Sequence, residues 1–385
     1  MLDALYQKSI ERKEEINNFF ENITQEIDIE KVEEKYVNCA FKKTTQDKNF
    51  AAIDGSFNKT KYMAGYVYAI TSQTIISKSN QDVQKESQAA EIKTISTIHN
   101  HRIDKILSTQ MNIFELKSTI DTLKKHPDID YMLMDGSLRG TLINYQQNND
   151  IPQKVINYLN SYQIPFENEL NEENVQIELT SERYKGPIRK DVKELLKEEP
   201  EIEFKDIKSD IDFYLNGIEQ LVCISYLLQH FKEKIICISK TSSTRSVFEQ
   251  SIPDAAVIQY VCPHSGYTKP EPRESNRLVR HIGGQIRTID YPVKNRELCD
   301  NIFNIFFTKL EDKSNTLKIE IPKTITITEL TDLLNELESI SIDGYPHILK
   351  KAHDEVKIGT DFMKRINRNI GLENRTGRDM LNRTR

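Results

Sequence analysis

Two segments of the chain finish on the same three residues. Phe50-Ala-Ala-Ile-Asp54-Gly-Ser56 and Tyr131-Met-Leu-Met-Asp135-Gly-Ser137 are each an apolar run that closes on an aspartate and is followed by Gly-Ser. Side chains alternate along a strand, so Asp54 shares a face with Ala52 and Phe50, and Asp135 with Leu133 and Tyr131. A carboxylate on such a face needs a partner or a cation. Where the two strands are neighbours, both carboxylates meet at one edge of the sheet. Like charges held that close repel, and a divalent ion relieves the repulsion. An all-oxygen donor set favours Mg²⁺ or Mn²⁺ over zinc, and two such ions can activate water and stabilise the leaving oxygen of a phosphodiester. The competing reading of each Asp-Gly is a turn, the commonest use of that dipeptide. Repetition of the segment brings the two readings level. Glu115 lies at the flank of a helical apolar stripe, from which it can reach a metal or face solvent; periodicity alone favours solvent.

The elements that would position these acids are legible in outline. Residues 1–37 have helical periodicity, and 49–56 form a short strand stopped by glycine. Segments 61–70 and 73–77, rich in aromatic and β-branched residues, suggest further strands. Residues 111–126 carry a stripe of Ile113, Leu116, Ile120 and Leu123, with Pro127 just past the end. A buried strand follows at 129–134. Residues 141–210 are polar and read as a helical insertion. A more apolar helix over 211–231 leads into the strand 234–239. Residues 263–288 read as a long loop, 308–310 with 317–321 as a hairpin, and 329–340 as a helix; 345–358 opens another. Antiparallel strands followed by strands alternating with helices imply a mixed α/β sheet. The expected organisation is an N-terminal helical segment over 1–40, a main domain over 41–358 and a basic tail over 359–385.

Composition bounds the function. The chain has 385 residues, 37% hydrophobic and 29% charged, with a net charge of −6. Mean hydropathy is −0.58 and the pI about 5.9. No apolar run approaches the roughly 20 residues that span a bilayer, and the N-terminus lacks a signal-peptide layout, so a cytoplasmic protein is expected. The five cysteines show no C-x-x-C spacing and indicate neither a disulfide framework nor structural zinc. Net acidity argues mildly against a nucleic-acid binder, but a nuclease needs basicity only along its groove. No G-x-x-x-x-G-K-[ST] occurs, which excludes a P-loop ATPase of its own.

Read in order, several segments resemble the NurA nucleases across most of the chain. They are Ala52-Ile-Asp54-Gly-Ser56, Glu115 in its helix, Leu133-Met-Asp135-Gly-Ser-Leu138, Ile238-Ser-Lys240-Thr-Ser242 and Ile252-Pro-Asp254. Lys318-Ile-Glu-Ile-Pro322 follows, then Asp343-Gly-Tyr345-Pro-His347, with Ala-His353 at the family's spacing. The resemblance implies an RNase H-like core, Asp54, Glu115 and Asp135 as metal-binding carboxylates, and Tyr345 and His353 beside them. It also implies Mn²⁺-dependent single-strand endonuclease and 5′-to-3′ exonuclease activity on DNA. A homodimer is implied too, working with HerA, a hexameric translocating ATPase, in the resection of double-strand breaks. His353 would be a metal ligand or a proton donor to the leaving group; taken alone it reads as a hydrogen-bonded helix histidine. The chain departs from the pattern at His347, where the family usually has an aromatic, and over 141–210, which aligns with nothing.

Other residues stay open between two readings. Lys240, after an apolar strand, can pair a phosphate as a point charge or be a solvated loop lysine. Asp254 is a site candidate through the family match alone. Lys269, Arg273, Arg277, Arg280 and Arg287 form a basic stretch suited to phosphate contact or to a solvated loop. The tail, from Lys364 to Arg385, can bind DNA or a partner, or fray. His99-Asn-His101 and Cys262-Pro-His264 lack second pairs and read as loops. Besides the nuclease, two alternatives stand: a non-catalytic DNA-binding adaptor of a translocase, which would have little reason to keep all three acids, and an enzyme acting on RNA or hybrids.

Overall fold

A computed structural model describes residues 2–43, 48–62, 64–79, 83–96, 102–145, 151–199, 201–275 and 291–372. It also describes the backbone of 279–282 and 285–288, while at 296 and 297 only the helical backbone is described. The N-terminal periodicity resolves into three helices, α1 (Leu2–Glu11), α2 (Lys13–Gln25) and α3 (Ile29–Lys35), and the chain then enters a short strand, β1 (Tyr36–Asn38). Asp28 starts α3 by accepting a hydrogen bond from the Lys31 amide at 3.3 Å.

The three long strands that follow are β2 (Phe50–Lys61), β3 (Gly65–Ser77) and β4 (Gln84–Ser96), paired antiparallel in sequence. Two expectations change here. The strand holding Asp54 does not stop at glycine but runs on to Lys61, and 61–77 is essentially one strand rather than two. Next come α4 (Ile103–Lys125) and β5 (Tyr131–Asp135), which lies parallel to β2. The helices α5 (Leu138–Ile143), α6 (Gln153–Asn160), α7 (Gln163–Asn171) and α8 (Thr180–Leu195) realise the polar insertion, and α9 (Phe204–Phe231) leads to β6 (Ile235–Ser239), parallel to β5.

Beyond β6 lie α10 (Asp254–Val261), β7 (Gly266–Thr268), β8 (Glu271–Glu274), β9 (Val279–Ile282), β10 (Gln285–Thr288) and α11 (Arg296–Cys299). The segment expected as a long loop therefore contains four strands. Two of them, β7 and β8, are held by pairing with β11 (Ile302–Lys309), a long-range register that local composition does not carry. The hairpin partner is β12 (Leu317–Ile321); α12 (Ile327–Ser339), β13 (Ser341–Ile342), β14 (Tyr345–Pro346), α13 (His347–Val356) and α14 (Thr360–Asn369) close the chain.

The main sheet has ten strands in the order β1-β7-β11-β12-β6-β5-β2-β3-β4, with β8 beside β11. It is the expected mixed α/β sheet flanked by helices, and it is compatible with an RNase H-like core. Alternation divides its side chains between two cores. Ala51, Ile53, Met132 and Met134 pack on one face with the α4 residues Ile113, Leu116 and Ile120, and α9 covers α4 in turn. Phe50, Ala52 and Leu133 pack on the other face with Leu330 and Leu334 of α12 and Leu349 and Ala352 of α13. No described helix is long and apolar enough to cross a membrane.

Candidate metal centre

The parallel register of β2 and β5 pairs Phe50 with Tyr131 and Ile53 with Met134. One step further along both strands, Asp54 and Asp135 stand side by side and, by alternation, on the α13 face. That face brings His353 to them: its Nδ1 lies 2.7 Å from Asp54 Oδ2. Ligand atoms of Asp54, Asp135 and His353 all lie within 4.8 Å of one another. Asp54 is buried, and its Oδ1 accepts the Gly55 amide at 2.9 Å. Burial, and then the neighbouring Asp135 charge, raise its pKa against the opposing hydrogen bonds from His353 and Gly55.

Glu115 arrives from the opposite face. The open choice between solvent and interior closes inward, because α9 covers the side of α4 that a single apolar stripe would leave wet; Glu115 is buried. Residue 55 faces α4, and a Cβ there would sit 2.8 Å from Glu115 Oε1 and 2.9 Å from its Cγ. Gly55 is thus a packing glycine that lets the glutamate pass, whereas Gly136, at φ +108°, does end its strand in a turn. Burial and then the Asp54 charge push the Glu115 carboxyl up to about 8. Glu115 lies outside the group formed by the other three ligand residues, yet the charges of both aspartates act on it.

A second layer holds these groups. Asn112 Nδ2 donates to Glu115 Oε2 at 3.1 Å, and Gln220 of α9 donates to Asn112 Oδ1 at 2.8 Å. Glu320, fully buried in β12, accepts from Ser137 Oγ at 2.5 Å, from Lys318 Nζ at 2.6 Å and from the Arg139 amide at 3.3 Å, which fixes the loop after Asp135. The Gly136 amide donates to Ile238 O at 2.9 Å. None of Asn112, Gln220 and Glu320 was a sequence candidate. The signal for Glu320 was its place in the run Leu317–Ile321, where an acid between apolar neighbours in a buried strand needs a partner.

Lys240 and Tyr345 join the site. Lys240 Nζ lies 3.5 Å from Asp135 Oδ2 and 4.6 Å from the centroid of the Tyr345 ring. Tyr345 is delivered by the two-residue turn Asp343-Gly344, both at positive φ, between β13 and β14. Its buried hydroxyl has no hydrogen-bond partner among the described residues, and burial and the charges of Asp135 and Asp54 push its pKa up. Two carboxylates, an imidazole and an unpartnered hydroxyl at one edge are a donor set that suits Mn²⁺ or Mg²⁺.

Other candidates fall elsewhere. Asp254 is buried but accepts the amides of Val247 at 3.1 Å and Phe248 at 3.0 Å, so it closes its own loop. His347 Nδ1 meets Ile340 O at 2.7 Å. Cys262 is buried in a small core, while His264 pairs with Asp312 at 3.4 Å. Arg273 pairs with Glu271. His99, His101, Arg277 and the tail beyond Leu372 lie outside the described residues, as do the side chains of Arg280 and Arg287.

Fold and site together define a mixed α/β protein with a carboxylate-rich metal centre at the ends of adjacent parallel strands. The model of the NurA domain matches residues 48–358, and the chain belongs to the NurA family. It is 26% identical over 384 residues to the "Probable DNA double-strand break repair nuclease NurA" of Methanocaldococcus jannaschii, covering 97% of this chain and 90% of the relative. It is 23% identical over 379 residues to the "DNA double-strand break repair nuclease NurA" of Saccharolobus solfataricus, covering 96% of each. Among solved structures, the NurA nuclease from Sulfolobus solfataricus superposes with a TM-score of 0.70 at 20% identity, over 96% of this chain and 97% of that one. A NurA bound to dAMP and manganese gives 0.66 at 17% identity, over 93% of this chain and 95% of that one.

Proposed function

We propose that the chain is a Mn²⁺- or Mg²⁺-dependent DNA nuclease, a single-strand endonuclease and 5′-to-3′ exonuclease that resects double-strand breaks. One observation carries the reading: Asp54, Asp135 and His353 offer ligand atoms within 4.8 Å of one another at the ends of neighbouring strands. Relatives that are named as break-repair nucleases over nearly the whole chain support it. Asp54, Asp135 and His353 hold the metal, with Glu115 as the further carboxylate of a two-metal site. When bound, the ions lower the pKa of water and offset charge on the transferring phosphate. The protein's own groups do the rest. Lys240 neutralises a neighbouring phosphate, and Tyr345 hydrogen-bonds the same group. The main nuclease domain spans 41–358, with residues 1–40 as a helical arm and 359–385 as a basic tail.

The enzyme works in the cytoplasm as a homodimer with a HerA translocase, which supplies the ATP-driven movement that this chain lacks the motif for. Leu5, Ile10, Phe19 and Phe20 on α1 and α2 are exposed, which supports a protein partner on that arm. The test is degradation of 5′-labelled single-stranded DNA with Mn²⁺, Mg²⁺ or EDTA, native chain against Asp54→Ala. Metal-dependent cleavage lost in the variant is the expected result. No cleavage by the native chain, with its translocase present, would overturn the reading in favour of a DNA-binding adaptor.

A further inference from the structure

A cavity of about 520 Å³ opens beside the metal centre and shares Lys240 and Tyr345 with it. Its walls are the first turn of α10, at Ala255 and Ala256, and the start of β12, at Thr316 and Leu317. Sheet order fixes where it lies. β5, β6 and β12 are consecutive neighbours, and Lys318 at the start of β12 pairs with Ser239 at the end of β6. Asp135, Lys240 and Leu317 therefore step across one edge at strand spacing, which puts the cavity roughly 10 Å from Asp135.

The lining differs in kind from that of the metal centre. Ala255, Ala256, Leu317 and the ring of Tyr345 are apolar. The Thr316 amide and hydroxyl both donate to Gln259 Oε1, at 2.9 and 3.1 Å, so that wall is satisfied and held in place. Lys240 also lines the cavity, its ammonium 3.5 Å from Asp135 Oδ2 and 4.6 Å from the Tyr345 ring centroid. A cavity with these apolar walls, with polar groups from Thr241, Ser242 and Asn315, and with a cation beside it suits a base whose phosphate stays at the lysine.

We propose that this cavity receives the unstacked base of the nucleotide adjoining the scissile phosphate, with Lys240 holding the phosphate between them. The inference rests on the nuclease reading above. A base enters such a slot only when unpaired, so the cavity selects single strands over intact duplex.

The experiment scans one abasic residue through a labelled oligothymidylate in the presence of Mn²⁺, for the native chain and for Ala256→Trp, which fills the slot. In the native chain, cleavage falls roughly ten- to a hundredfold at a single offset from the abasic residue. Ala256→Trp cuts unmodified DNA weaker by a similar factor and shows no offset, while its Mn²⁺ titration matches the native one. Uniform cleavage along the scan overturns the proposal, as does native-like cleavage by a folded Ala256→Trp. If the variant does not fold, the abasic scan decides alone. No cleavage of any oligonucleotide by the native chain overturns the nuclease reading and this inference with it.

Discussion

Gly55→Ala isolates the packing argument for the glutamate. The added Cβ meets Glu115 Oε1 at 2.8 Å, Glu115 Cγ at 2.9 Å and Met111 Cγ at 2.9 Å. Glu115 cannot swing clear, because it is buried and tied to Asn112 at 3.1 Å. Overpacking of this kind costs about 1–3 kcal/mol. At about 2.1 cal/mol/K of unfolding entropy per residue, a chain of this length loses roughly 1–4 °C of Tm. Displacing the carboxylate also weakens Mn²⁺ binding, by tenfold or more. The decisive measurement is a double-mutant cycle: in a Glu115→Ala background two of the three close atoms are gone and only Met111 Cγ remains, so the Gly55→Ala penalty in thermal unfolding becomes clearly smaller. An equal penalty in both backgrounds, or a Gly55→Ala protein that binds Mn²⁺ like the native one, refutes the claim that the glycine exists to let Glu115 through.

Three further predictions follow from buried charge. Lys117 and Glu219 form a fully buried pair at 2.7 Å that joins α4 to α9, and Glu219 also accepts the Thr180 and Ser181 amides at 2.8 and 2.9 Å. Lys117→Met costs about 3 kcal/mol, at the low end for a broken buried pair because the two amides remain; Lys117→Met/Glu219→Gln removes the unpaired charge but recovers only part of it, since Gln accepts through one oxygen, and a denaturant midpoint unchanged in Lys117→Met contradicts this. Glu320→Ala frees the loop after Asp135 and lowers Mn²⁺ affinity ten- to a hundredfold, read by titration, with Glu320→Gln losing less. Glu338 is buried, and burial and the Glu311 charge lift its carboxyl from 4.5 to about 7. The folded state therefore binds the extra proton. This contribution is present below pH 4.5 and is lost as pH rises to 7, a decline of roughly 3 kcal/mol at 1.36 kcal/mol per unit. Unfolding of Glu338→Gln at pH 5 and 8 should lack that decline, and an identical slope would disprove the assignment.

What local pattern could reveal depended on how each residue's surroundings were built. The apolar runs that lead to Asp54 and Asp135 were legible because both faces of the sheet are buried there, so each run is unbroken until the acid. β4 was not, because it is an edge strand of polar alternation, Gln-Lys-Glu-Ser-Gln, paired only with β3 in the main sheet. Glu115 was misweighted because one stripe implies one wet side, and α4 has none along that turn: Glu115, Lys117 and Asp121 are all buried. Asp254 shows the reverse. It matched a family segment, yet its carboxylate closes a loop through two backbone amides.

Convergence itself was the least legible feature. Asp54 and His353 are 299 positions apart, and nothing within either segment says that α13 lies on the Asp54 face. Two facts of topology bring them together. Asp54 shares the face of Ala52, which packs in the same core as Ala352, the residue next to His353. The parallel pairing of β2 with β5 then brings Asp135 to the same edge. Local chemistry nominated the aspartates; the metal centre exists because strand order and alternation aim two of them at one histidine, while the single missing side chain at residue 55 admits the glutamate from behind.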